Sequence, residues 1–122
     1  MPLITLLGDS DAWVRMAAAR ALGEVRDARS ADQLIAGLVD SHEGVRQISA
    51  WALGEMKDAR AVQALCTLVV ADTQSEVRIA AAEALGEIRN EKAVPSLKQA
   101  LNDSEAGVRA KASWALNEIL DS

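Results

Sequence analysis

The segment Asp9-Ser10-Asp11-Ala12-Trp13-Val14-Arg15-Met16-Ala17-Ala18-Ala19-Arg20-Ala21-Leu22-Gly23-Glu24-Val25 recurs, in altered form, three more times along the chain. Its Val-Arg pair returns at Val45-Arg46, Val77-Arg78 and Val108-Arg109, at spacings of 31, 32 and 31 residues. Five residues before each Val stands an Asp (Asp9, Asp40, Asp72, Asp103), followed at once by Ser10, Ser41, Thr73 or Ser104. Eight residues after each Val comes a Leu (Leu22, Leu53, Leu85, Leu116). Next is Gly23, Gly54 or Gly86, but Asn117 in the fourth copy, and then Glu24, Glu55, Glu87 or Glu118. Landmarks in register four times over define an internal repeat, and a repeat sets the architecture before any single helix is assigned.

Each copy predicts two helices. The Asp-Ser or Asp-Thr pair offers side-chain oxygens to the free N–H groups of a first turn and marks the start of a helix A. Helix A runs about sixteen residues, as from Asp11 to Arg26, with Val14, Ala18, Ala21, Leu22 and Val25 recurring at helical spacing as one apolar stripe. After a polar break such as Asp27-Ala28-Arg29 comes a helix B with Leu34, Ile35 and Leu38. Val62, Leu65 and Val69 match it, as do Val94, Leu97 and Leu101, and Leu3, Ile4 and Leu7 at the start. The 32-residue copy carries its extra residue near Val70-Ala71, where a loop would absorb it. The expected order is B-A four times, about eight helices in one domain over residues 1–122.

Composition agrees with this pattern. Half of the 122 residues are hydrophobic but only 2% are aromatic, so the core must be Ala, Leu, Val and Ile, which favours close-packed helices over sheet. A net charge of −5 argues against nucleic acid as a partner, because a duplex binder needs a cationic surface. One Cys allows no internal disulfide, no signal peptide opens the chain, and no apolar run reaches the roughly 18 residues of a membrane span. A soluble cytoplasmic protein with no membrane partner is expected.

Two helices of this length cannot bury their stripes alone, so the copies are expected to stack into an all-α, right-handed α-solenoid. The pattern D-[ST]-x-x-x-V-R-x-x-A-x-x-A-L-G-[EQ]-[IV], at a period of about 31 residues, resembles the HEAT-like repeats of the phycobilisome-lyase type. It is similar, too, to artificial binding scaffolds built from such repeats, and the resemblance covers essentially all 122 residues. For function the resemblance implies two alternatives. One is a non-catalytic scaffold that binds a protein or peptide along its A helices. The other is a subunit or fragment of a bilin lyase that handles a phycobiliprotein and its tetrapyrrole.

Several landmarks have structural explanations. Each Arg of a Val-Arg pair lies beside the core stripe and one turn from an Asp-containing loop, where a charge-assisted hydrogen bond would lock the repeat junction. Gly23, Gly54 and Gly86 lie inside helix A, since an apolar Val, Met or Ile follows two residues later. With Ala19, Ala50 and Ala82 they form a small-residue face that lets the next copy come close, which offsets the roughly 1 kcal/mol cost of a mid-helix Gly.

Catalytic chemistry finds little to work with, and no cofactor or metal is expected. The one histidine, His42, lies at the start of a helix A beside Glu43. Deoxyhypusine hydroxylase, another HEAT-repeat protein, holds iron with His-Glu pairs, but those pairs follow the Val-Arg position, where this chain has Gln47-Ile48. Asp9-Ser10-Asp11 is no calcium loop, because Trp13 stands where a ligand should. Cys66 among Leu65, Leu68 and Val69 reads as a buried apolar filler. HEAT-like DNA glycosylases line their groove with Lys, Arg and stacking aromatics, and the acidic balance here argues against that relative.

The informative residues lie opposite the core stripe. Positions 13, 17, 20 and 24 share a second stripe of helix A, which reads Trp13, Ala17, Arg20, Glu24 in the first copy and Gly44, Ile48, Trp51, Glu55 in the second. In the third it reads Glu76, Ala80, Glu83, Glu87, and in the fourth Gly107, Lys111, Trp114, Glu118. Three of these four positions vary while the landmarks hold, as a recognition surface on a fixed frame would. In the artificial scaffolds that the chain resembles, the same positions form the concave, diversified face. All three tryptophans fall here, and Trp is enriched at binding hot spots, so partner contact is the preferred reading and half-buried packing against a neighbouring helix the alternative. The expected partner-binding residues are Trp13, Arg20, Ile48, Trp51, Glu55, Glu83, Lys111 and Trp114, on a ridge about 30 Å long. A weak homodimer through the apolar N-terminal helix is also expected, since Leu3, Ile4, Leu6 and Leu7 leave it apolar on most sides.

Overall fold

The long helices carry an apolar stripe at a 3.6-residue spacing, and the chain buries that stripe by stacking one helix pair on the next. In the computed structural model, which describes residues 2–121, the A helices are α2 (Ala12–Val25), α4 (Glu43–Met56), α6 (Ser75–Ile88) and α8 (Ala106–Leu120). The B helices are α1 (Leu3–Leu6), α3 (Ala31–Gly37), α5 (Val62–Ala71) and α7 (Val94–Ala100). There is no strand among the described residues, and the eight helices form an α-solenoid of four pairs. Successive A helices lie along one another, whereas α5 and α7 are the one pair of B helices packed closely side by side. Leu22, Leu34, Leu53, Leu65, Leu85 and Leu97 are fully buried between the layers.

The repeat junctions explain most landmarks. Arg46 donates from Nε and Nη2 to the carboxylate of Asp72 at 2.8 and 3.3 Å, and from Nη1 to the Asp40 carbonyl of its own loop at 2.8 Å. Arg15 holds Asp40 in the same way, and Arg78 holds Asp103. These guanidinium groups belong to a ladder that ties each copy to the next, as the sequence leads one to expect. Burial works against the charge on Asp40, but hydrogen bonds from Arg15 and from the His42 N–H outweigh it and hold the carboxyl below its ordinary range. Asp103 is held low chiefly by Arg78.

Those aspartates do not cap the helices. Asp9, Asp40, Asp72 and Asp103 each accept the N–H two residues on, at 2.8 to 2.9 Å, so they form the turn that leads into helix A. The caps fall two residues later, at Asp11, His42, Gln74 and Glu105. Asp11 and His42 cap with their side chains, His42 by accepting the Gly44 N–H at Nδ1. At the other end, α2, α4 and α6 close on Arg26, Lys57 and Arg89 in the left-handed conformation, with φ of 54°, 51° and 59°. The bend turns each basic side chain toward the next A helix. Lys57 pairs with Glu87 at 3.1 Å, Arg89 pairs with Glu118 at 2.9 Å, and Arg26 reaches the Glu55 carbonyl at 3.1 Å.

Three further differences from expectation are local. Each polar break after an A helix begins with a turn of 3₁₀ helix, at Ala28–Ser30, Ala59–Ala61 and Glu91–Ala93, capped by Asp27, Asp58 and Asn90. The extra residue near Val70-Ala71 lengthens α5 instead of entering a loop. α5 runs 10 residues where α3 and α7 each run 7. Val25 is 65% exposed and not part of the core, while its counterpart Ile119 is 5% exposed. α2, which Val25 ends, follows the four-residue α1.

Candidate interaction ridge on the A helices

A side chain on the outer stripe of one A helix leans toward the helix before it, so what it meets depends on the small residues there. A Cβ added to Gly23 would lie 2.9 Å from the Ala52 Cα and 2.7 Å from the Trp51 ring. One added to Gly86 would meet Trp114 and lie 3.0 Å from the Ala115 Cα. Trp51 and Trp114 therefore roof the two close approaches, and both are half-buried against the core. At the middle junction a Cβ on Gly54 would lie 2.9 Å from the Ala84 Cα. No ring covers that approach, because Glu83 occupies the position of the two tryptophans.

Trp13 lies two turns nearer the helix start than that position, which is Arg20 in its own copy, and is 72% exposed. Its nearest aromatic neighbour is His42, with ring centroids 6.3 Å apart and the planes tilted by 59°. From Trp13 a shallow groove runs past Met16, Ala17 and Arg20 to Ile48. It opens into a second groove of about 400 Å³ between α2, α4 and α6, with Ile48, Trp51, Ile79 and Ala80 as its apolar lining and Arg20 and Glu83 at its edge. A smaller pocket of about 130 Å³ adjoins it over Gly54, bounded by Trp51, Glu55, Glu83 and Glu87.

The structure thus brings Trp13, Arg20, Ile48, Trp51, Glu55 and Glu83 onto one continuous surface. Lys111 joins it from α8, 3.5 Å from Glu83 and 5.1 Å from the centre of the Trp114 ring. Trp114 lies beyond the grooves. The sequence reading missed Met16 and Ile79, which lie one position before Ala17 and Ala80. Their only signal is that they too change between copies, to Gln47 and Ala110.

Nothing in this arrangement gathers a reactive set. Among the described residues there is no group of three His, Cys, Asp or Glu side chains placed to hold a metal ion. His42 is engaged as a helix cap, and Cys66 is half-buried on α5, on the opposite layer. No helix among the described residues is long and apolar enough to cross a membrane.

The four-pair solenoid defines a class, and comparison with known proteins agrees with it. The family model for HEAT repeats matches residues 1–50 and 31–117, and the chain belongs to that family. No curated protein matches it in sequence. Among solved structures it is similar to human deoxyhypusine hydroxylase in complex with glycerol, with a TM-score of 0.85 and 27% identity over 98% of this chain and 43% of that one. It is similar to the CpcE and CpcF complex of phycocyanin lyase from Nostoc, with a TM-score of 0.73 and 21% identity over 98% of this chain and 64% of that one. A designed armadillo repeat protein in complex with the peptide (KR)4 gives a TM-score of 0.76 and 21% identity, over 97% of this chain and 63% of that one. In each case the chain spans less than two thirds of the solved chain.

Proposed function

We propose that the chain is a binding module that holds a protein or peptide partner along its A helices and carries out no chemistry itself. One observation carries this reading. The outer face of the A layer has a continuous groove that begins at an indole 72% exposed to water and sets Ile48, Trp51, Ile79 and Ala80 among Arg20, Gln47, Glu76 and Glu83, and the residues lining it differ from copy to copy on a fixed frame. An exposed Trp beside an unfilled groove is the usual form of an interaction hot spot. The A helices pack closely along their length while most B helices stand apart, and the tighter layer of a curved stack is its concave side. A concave face on rigid helices needs little ordering on binding, which favours affinity. Trp13, Arg20, Ile48, Trp51, Glu55, Glu83, Lys111 and Trp114 are the proposed contacts. Of these, Trp51 and Trp114 also serve packing.

The bilin-lyase alternative has the fold similarity in its favour, at 21% identity. No residue set beyond the repeat frame supports it. The experiment that tests the preferred reading is capture of proteins from a cell lysate on the immobilised chain, in parallel with Trp13→Ala and Ile48→Glu variants. A captured protein is then purified and its affinity measured. A specific partner should bind the unaltered chain and lose affinity for both variants. A partner indifferent to both would place the interaction elsewhere. Visible spectra with free bilin test the alternative, since a lyase subunit should shift and sharpen the pigment's absorption.

A further inference from the structure

The three A-helix junctions are built alike except in one respect. Gly23 is roofed by Trp51 and Gly86 by Trp114, but over Gly54 the roof position is Glu83 and a pocket of about 130 Å³ stands open. One wall is the Trp51 indole, and Ala80 and Ala84 line it with small apolar surface. The groove against Ile48 and Ile79 leads directly into it, and Trp51 and Glu83 border both.

The rim of the pocket carries three carboxylates, Glu55, Glu83 and Glu87. Lys57 pairs with Glu87 at 3.1 Å and Lys111 with Glu83 at 3.5 Å, each from the outside, while Arg26 reaches the Glu55 carbonyl and not its carboxylate, and Arg20 lines the adjoining groove. Glu55 has no ion pair among the described residues. The Lys57 side chain is 61% exposed, a surface pair of the weakly held kind. An indole face beside three carboxylates favours a cation with an apolar stem.

We infer that this groove takes a peptide segment of defined chemistry, with an apolar side chain seated against Ile48 and Ile79 and a neighbouring Lys or Arg inserted over Gly54 between Trp51 and the three glutamates. The inference rests on the A-helix ridge being the binding surface and adds what the ridge selects. The cation replaces the ring that fills the same place at the other two junctions. Its charge pairs with the Glu55 carboxylate, which Lys57 and Lys111 leave without an ion pair. The groove is long enough for the apolar anchor to supply most of the contact area, and the cation supplies the register.

The test is selection of a random linear peptide library displayed on phage against the full chain, followed by affinity measurement on the synthesised peptides. Selected peptides should share a Lys or Arg next to an apolar residue and should weaken as salt is raised. Affinity should fall about tenfold or more in Glu83→Trp, which closes the pocket as at the other junctions, and severalfold in Glu55→Gln. The second variant keeps the test alive if the first disturbs the fold. Peptides that lack a cation, lose affinity for Ile48→Glu and ignore Glu83→Trp would overturn the pocket while leaving the ridge standing. Peptides indifferent to Ile48→Glu as well, or no selected peptide at all, would overturn both.

Discussion

Arg46 and Asp72, 26 residues apart in sequence, meet in a two-pronged ion pair with side chains only 14% and 5% exposed. The same guanidinium holds the backbone of its own loop, so one side chain fixes both sides of a repeat junction. Removing one partner of such a pair leaves a mostly buried charge without compensation. Arg46→Ala should lower stability by about 2 to 4 kcal/mol in urea denaturation. Arg29→Ala, whose side chain is 85% exposed in its pair with Asp27, should leave the denaturation midpoint essentially unmoved.

Acid should act through the same rungs. Asp40 and Asp103 have carboxyls held below their ordinary range, so the folded state keeps them ionised at pH values where the unfolded chain is already protonated. Their contribution is complete above an ordinary aspartate pKa of about 4 and is lost as pH falls through the lower folded values. The melting temperature should therefore fall as pH drops below about 4, and Asp103→Asn should flatten that dependence.

Two serines are fully buried, Ser30 and Ser49, and the Ser30 hydroxyl donates to the Asp27 carbonyl at 2.6 Å. Ser49 is fully buried where the other copies have Ala18, Ala81 and Ala112, and its Oγ has no hydrogen-bond partner among the described residues. Ser49→Ala should raise stability by about 1 kcal/mol in chemical denaturation, and Ala81→Ser should lower it by about 1 to 3 kcal/mol.

Glycine in mid-helix is retained for the approach of the next copy. Replacing it gains about 1 kcal/mol of helix propensity, but a Cβ at position 54 would lie 2.9 Å from the Ala84 Cα, which is backbone and cannot turn aside. Gly54→Ala should therefore destabilise by a net 1 to 2 kcal/mol or so, against the sign that propensity alone predicts.

How far the fold could be read from sequence depends on whether a feature repeats. Val-Arg and the Asp loops recur four times and Leu-Gly-Glu three times, and they give the A helices to within two residues and the guanidinium ladder in outline. The turn made by Asp40 looks like a cap from sequence alone, because both uses need an oxygen near a free N–H and differ by two residues of register. The basic C-caps Arg26, Lys57 and Arg89 were legible as a repeated feature too, but their reach to the next copy depends on a left-handed bend that no residue type there announces. On the ridge, periodicity places Trp13, Ile48 and Trp51 on one face. It does not show that Trp51 lies on Gly23, since that contact depends on the spacing between helices. Met16 and Ile79 escape for the same reason: they line the groove from between two stripes.

For the proposed docking of partners on the A layer the chain carries its own reporters, since its three tryptophans all lie on that face. The most direct measurement is a ¹H–¹⁵N spectrum of the full chain titrated with a purified partner, following the three indole N–H signals together with backbone amides of α3, α5 and α7. Docking on the ridge predicts that the Trp13 and Trp51 indoles and the amides around Ile48 and Ile79 shift while the B-helix amides of Gln63 and Lys98 stay still. Shifts confined to α3, α5 and α7, with all three indoles unmoved, would contradict it.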